Sequence, residues 1–90
     1  MSNTSQKHRN FVSEPMGDKP VTALPGIGPM LGRELQREGI NKASGVLGHY
    51  LVQDRDPQRF GQWLKHSSGA NSHQTSTCTR ALKDWTDNNL

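Results

Sequence analysis

Ninety residues with 30% hydrophobic content, a mean hydropathy of -0.86 and a net charge of +3 describe one lean domain whose core is marginal unless something supports it, oligomerisation being one such support. No run approaches a membrane span, no apolar segment near the N-terminus reads as a secretion signal, and Ser2 stands where a myristoyl anchor needs glycine. A single cysteine, Cys78, excludes an internal disulfide and, without a signal, points to a reducing intracellular compartment, while a pI near 9.4 permits a polyanion partner without requiring one.

In chain order, Thr4 or Ser5 is placed to cap a short first helix that carries Phe11 and Val12. Pro15, Gly17 and Pro20 then force a connecting turn, and "VTAL" supplies about one helical turn before the glycines interrupt it. Pro29 suits the first position of a second helix, with Met30, Leu31 and Leu35 expected on one face and Gly39 at its end. From Lys42, residues Ala43, Val46, Leu47, Tyr50 and Leu51 follow the i, i+3, i+4, i+7, i+8 spacing and predict a third helix of about three turns. Gly45 and Gly48 inside it cost roughly 1 kcal/mol each in propensity, which predicts close approach of another backbone. Asp56 and Pro57 cap and open a fourth helix with Phe60, Trp63 and Leu64 buried. After "HSSGANS", a last helix carries Cys78, Ala81, Leu82 and Trp85 on one stripe. No alternating run of strand length occurs, so the expected fold is all-α, a compact bundle of five or six short helices.

The stretch "LPGIGPMLGRELQREGI" concentrates special backbone positions. A helical turn, a Gly-Ile-Gly turn and a second helix with a bare start make a helix-hairpin-helix at about residues 20–38. Gly26 and Gly28 can both take positive φ, and without a Cβ they let another group approach the backbone. Ile27 is expected to point inward and pin the turn, while the amides of Gly26, Gly28 and the next residues face out. The first amides of a helix lack internal partners and sit at its positive end, so this is a phosphate site that reads no bases. A Pro-Gly-x-Gly turn alone is often only a turn. Leu24, Gly32 four residues after Gly28, and Leu35 three further on make the pattern specific, with Gly32 allowing the two helices to cross closely.

Other constellations carry no chemistry. Asp54 and Asp56 are spaced like metal ligands, but Lys65 stands where an EF-hand needs Glu, so helix capping is the better reading. His8, His49, His66 and His73 form no zinc pattern with the lone cysteine, and His8 reads as a packing or surface residue. Ser5 and His8 lack a third group and an oxyanion donor, so no enzyme and no cofactor is expected. Cys78 reads as core, and Trp63 and Trp85 as core and interface.

The segments "TSQKHRNFVSEPMG", "GIGPMLG", "VLGHYLV", "FGQWLK", "GAN" and "LKDW" stand in the order and at the spacings of the barrier-to-autointegration factor family, which the chain resembles over essentially its whole length. The resemblance implies a SAM-like helical homodimer with one DNA site per protomer, the sites facing opposite ways so that one dimer bridges two duplexes without regard to sequence. It also implies a location in the nucleus and cytoplasm, roles in chromatin compaction and nuclear reassembly, and LEM-domain proteins, lamins and histones as partners, with no membrane insertion. On matching positions the DNA site falls on Ser5, Gln6, Lys7, Gly26, Ile27, Gly28, Met30, Leu31, Gly32, Arg33, Ala70, Asn71 and His73. The dimer interface falls on Ala43, Val46, Leu47, Gly48, Tyr50, Leu51 and Val52, and phosphorylation that switches off DNA binding on Thr4 and Ser5.

The chain also departs from the family pattern. Glu34 follows Arg33 after the hairpin, and His73 and Ser76 replace the usual lysine and arginine. On the LEM-domain surface the usual lysine pair is Asp54 and Arg55, and an apolar position is Arg59. Two readings follow: a nuclear DNA-bridging protein, or a divergent paralogue with weak or no DNA binding that acts as a heterodimer or protein-interaction module. A hairpin piece of a repair enzyme is disfavoured, since the chain begins with its own Met and carries no catalytic constellation.

Overall fold

Local capping signals set the helix boundaries. A computed structural model describes residues 5–90. Ser5, in extended conformation, accepts the His8 amide at 3.1 Å and starts helix α1, Gln6–Ser13. Thr4, the alternative cap, lies outside the described residues. A 3-10 helix, Val21–Ala23, leads through the glycine turn to α2, Pro29–Arg37, with Pro29 at its first position. Gly39, at φ +84°, closes α2 as the Gly39 and Ile40 amides turn back to the carbonyls of Gln36 and Leu35 at 2.9 Å each.

Helix α3 is Ala43–Val52, and α4 is Pro57–Ser68. The Asp56 carboxylate accepts the amides of Gln58 and Arg59, so this acid is a cap as expected. Gly69, at φ +78°, ends α4. The longest helix, α5, is Ser72–Asn89, and it opens with a reciprocal cap in which Asn71 and Gln74 bond each other's amides at 2.8 and 2.9 Å. The protein is all-α, with five α-helices and one 3-10 turn among the described residues.

Helix α5 is the spine against which α1 and α4 pack. Phe11, Leu24, Ile27, Leu35, Val46, Phe60, Leu64 and Leu82 are buried in one core. Two polar contacts lock α1 and its exit to α5: the His8 ring bonds Asp84 at 2.9 Å, and the Trp85 indole donates to the Glu14 carbonyl at 2.9 Å. His8 is therefore a packing histidine. Gly32 serves as expected, since a Cβ there would lie 2.8 Å from the Thr22 methyl.

Several expectations are corrected. Met30 does not share the buried face of Leu31 and Leu35; it is 78% exposed, because at about 100° per residue it points some way round the helix from Leu35, whereas Leu31 lies nearly in line with it. Trp63 is half-buried and stacks on His49 at 4.1 Å rather than filling the core. The close backbone expected at the α3 glycines is not supplied by the protomer's own described residues: Gly45 faces the Ile40 side chain, and among those residues nothing lies within 4 Å of a Cβ at Gly48. Between α3 and α4, Asp54 and Arg55 both adopt positive φ, 58° and 60°, a left-handed pair that no glycine in the sequence announces.

Cys78 is fully buried on the inner face of α5, and burial pushes its thiol from the ordinary 9.0 up to about 12. Below the unfolded value both states hold the proton. Above it the unfolded chain releases the proton while the folded chain keeps it, so stability falls as pH rises through this window. Urea midpoints measured between about pH 8 and 11 should drop by the equivalent of about 1 kcal/mol by pH 10. Cys78→Ala should flatten the slope without abolishing it, since burial also raises the Tyr50 hydroxyl.

Candidate nucleic-acid interface

The hairpin closes through two short-range bonds, Leu24 N–H to the Val21 carbonyl at 3.1 Å and Ile27 N–H to the Leu24 carbonyl at 3.0 Å. Ile27 is fully buried and pins the turn, as expected. The two glycines differ. Gly26 has φ +88°, whereas Gly28 is extended at φ -97°, so only one uses the left-handed conformation open to both.

Their bare faces also differ in use. A Cβ at Gly26 would lie 2.6 Å from the Gln74 carbonyl oxygen and 3.2 Å from the Cys78 nitrogen. Its missing side chain thus seats the turn on the backbone of α5 rather than admitting a ligand. Among the described residues nothing lies within 4 Å of a Cβ at Gly28.

Among the described residues no side chain caps α2. Its first helical bond runs from Gly32 N–H to the Gly28 carbonyl at 2.8 Å, leaving the amides of Gly28, Met30 and Leu31 without an intrahelical acceptor. Lys7 reaches across from α1, and its ammonium donates to the Ile27 carbonyl at 3.0 Å. Partial burial holds Lys7 below the ordinary lysine value. A cation thus sits on the turn beside the open start of α2.

The remaining expected positions border this centre. The Ser5 hydroxyl is occupied in capping α1, and Gln6 bonds Asn10 and Arg9 along the same helix. Met30, Leu31 and Arg33 line a groove of about 520 Å³ whose other wall is the end of α4 through Gly69. Glu34 lines it too, paired with Arg37 at 3.2 Å. Ala70 is buried, and its amide bonds the Ser68 hydroxyl at 3.3 Å. Asn71 caps α5, and His73 lies exposed in the first turn of that helix. Segments 5–7, 26–33 and 69–73 therefore adjoin. Sequence reasoning missed the Lys7 contact with the turn and the His66–Ser67 wall of the groove, since neither carries a local signal.

On α3 the expected interface residues divide between two faces. Ala43, Val46 and Tyr50 are buried in the protomer's own core and offer a partner nothing, because their spacing is also the spacing of the face that meets the 3-10 turn. Leu47 and Gly48 are half-buried, and Leu51 and Val52 are 37% and 75% exposed. These four form the outward strip.

Among the described residues no group of three His, Cys, Asp or Glu side chains is placed to hold a metal, and no helix is long and apolar enough to cross a membrane. The family model for barrier to autointegration factor matches residues 2–89. The chain belongs to the barrier-to-autointegration factor family. It is 50% identical to barrier-to-autointegration factor of Danio rerio over 90 residues, the whole of both chains. Against the Homo sapiens protein identity is 51% over 84 residues, 93% of this chain and 94% of the relative. Against the Drosophila melanogaster protein it is 53% over 85 residues, 94% of each.

Because Gly26 combines positive φ with contact on α5, Gly26→Ala should destabilise the fold by roughly 2–4 kcal/mol, the sum of left-handed strain and overpacking. Thermal melts should show a fall of about 10 °C or more. Gly28→Ala, which meets no atom, should melt within a few degrees of the parent, and equal melting of the two variants would contradict the packing role of Gly26.

Proposed function

We propose that the protein binds duplex DNA through its phosphates, independently of base sequence, and that two copies joined along α3 hold two duplexes together. The observation that carries this reading is the uncapped start of α2, with its unpaired amides, beside the Lys7 ammonium on the Ile27 carbonyl. Backbone donors and a cation at the positive end of a helix match phosphate oxygens and make no use of base edges. Arg33 is a further exposed cation on the same helix. The dimer half of the proposal rests on Leu47, Gly48, Leu51 and Val52, an apolar strip on a small protein with a lean core. Membership of the family supports a single domain working in the nucleus and cytoplasm, in chromatin compaction and nuclear envelope organisation, with LEM-domain proteins, lamins and histones as partners.

A second reading has its own observation. Glu34 puts a carboxylate on the groove beside Met30 and Arg33, and His73 and Ser76 stand where the family pattern has cations. On this reading the protein binds DNA weakly by itself and acts as a heterodimer or protein-interaction module. Anisotropy with unrelated duplexes of equal length, run over a salt series beside a sizing column, separates the two. The first reading expects affinity that ignores sequence and falls steeply with salt. Gly28→Glu should lose binding by at least about tenfold with unchanged helicity, through repulsion of phosphate at an open position. Gly48→Glu should elute as a monomer that binds one duplex without bridging. Full affinity in a folded Gly28→Glu variant would falsify the hairpin site, and wild-type protein that binds only when mixed with a relative selects the second reading.

Phosphorylation of Thr4 and Ser5 is proposed as the off-switch, since each phosphate adds about -1.5 to -2 charge within three positions of Lys7 in the sequence. Thr4 lies outside the described residues, but Ser5 allows a clean comparison. Asp and Asn both cap helices well, so Ser5→Asp and Ser5→Asn should preserve α1 alike. Only the Asp variant should bind duplex DNA more weakly at low salt, where repulsion is least screened. Equal affinities would remove the electrostatic switch.

A further inference from the structure

Helices α4 and α5 leave between them an open groove of about 610 Å³. It lies on the opposite side of α5 from the hairpin. The glycine turn faces Gln74, Thr77 and Cys78, whereas the groove is lined by Thr75, Ser76, Thr79, Arg80 and Lys83. At about 100° per residue these are two separate faces of one helix.

The groove is charged in one sense only. Arg55, Lys65, Arg80 and Lys83 line it, and no carboxylate does. Lys83 is paired with Asp87 at 2.8 Å. Lys65 reaches the Ser72 hydroxyl at 3.3 Å, and among the described residues Lys65, Arg55 and Arg80 form no ion pair. Cations gathered on a concave surface focus a positive potential that favours an anion there.

A second, independent feature lies in the same groove. Thr75 is 7% exposed, and its hydroxyl is the buried side-chain oxygen or nitrogen without a hydrogen-bond partner among the described residues. Its neighbours on α5 behave differently: the Thr77 hydroxyl bonds the His73 carbonyl at 2.9 Å, and the Thr79 hydroxyl bonds the Thr75 carbonyl at 2.7 Å. Across from Thr75 stands Gly61, where a Cβ would come within 3.0 Å of the Thr75 methyl. The absence of that side chain keeps the wall low. The oxygen is shielded from solvent, and with no partner to give up it can turn about χ1 toward an anion held in the groove.

We propose that the α4–α5 groove is a second anion site, separate from the hairpin, that binds a small molecule bearing phosphoryl groups through Lys65, Arg80 and the Thr75 hydroxyl. The volume lies within the range of about 300–1,000 Å³ typical of small-molecule sites. Several cations around one groove call for a ligand of more than one negative charge. The guanidinium fork of Arg80 matches the geometry of phosphoryl oxygens, and a lysine adds a point charge.

The test is an NMR titration of the isotopically labelled full-length protein with inorganic pyrophosphate at constant ionic strength, with malonate and a short duplex as parallel arms. Saturable shifts at the amides of Gly61, Thr75 and Ser76 are expected with pyrophosphate, and much weaker ones with malonate. Arg80→Ala and Lys65→Ala, at exposed positions that keep the fold, should each weaken binding by about tenfold. Thr75→Val, which keeps the shape and removes the hydroxyl, should weaken it severalfold, and Lys7→Ala should leave it unchanged. Pyrophosphate shifts confined to the hairpin amides, shifts that never saturate, malonate binding as tightly, or full affinity in both cation variants would each overturn the proposal. So would movement of the groove amides by the duplex alone. The duplex anisotropy measured in parallel reports on the hairpin, so the two sites succeed or fail separately.

Discussion

The contact between Gly26 and the backbone of α5 sets the arrangement of the molecule. A Cβ at Gly26 would lie only 2.6 Å from the Gln74 carbonyl oxygen, so the turn can seat this closely on α5 only with glycine there. With the turn seated there, Ile27 is directed into the core and the start of α2 is turned away from α5. Helix α5 also receives α1 through His8–Asp84 and the Trp85 indole, so Lys7 is delivered to the Ile27 carbonyl by the same spine. The open amides of α2 and the cation beside them thus come from separate parts of the chain and are held by one helix.

That economy has a cost in redundancy. A chain of ninety residues cannot bury enough surface to fix each loop separately. It relies on caps, on glycines that let elements touch, and on a few long-range polar bonds. Asp56, Asn71 with Gln74, and Ser5 each end a helix within one turn of themselves. Such bonds are worth about 0.5–2 kcal/mol apiece, a large share of the stability of so small a fold. The two faces of α5 then divide the work, one holding the hairpin and the other lining the basic groove against α4.

Much of this was legible in the residues. Helix existence and ends followed from Ser5, Pro29, Gly39 and Asp56-Pro57, since caps and proline act within a few positions of themselves. Burial of Cys78, Ala81, Leu82 and Trp85 followed from helical period. The inward turn of Ile27 and the close packing at Gly32 followed from the hairpin pattern. Where a feature depends on atoms distant in sequence, the residues were silent or misleading. Met30 looked like part of the stripe of Leu31 and Leu35, and α3 looked like one interface rather than an inner and an outer face.

By itself the sequence determined an all-α chain, the approximate limits of its helices, the hairpin at about residues 20–38 and the membership of a family, because periodicity, capping and motif spacing are properties of neighbouring residues. Only the tertiary structure decided which glycine is open and which is packed, that Lys7 rests on a carbonyl twenty positions away, and that among the described residues the Thr75 hydroxyl has no partner at a groove lined by no acid. Those facts rest on which face of one element meets another. Such a choice is made by the whole core at once, and no local pattern encodes it.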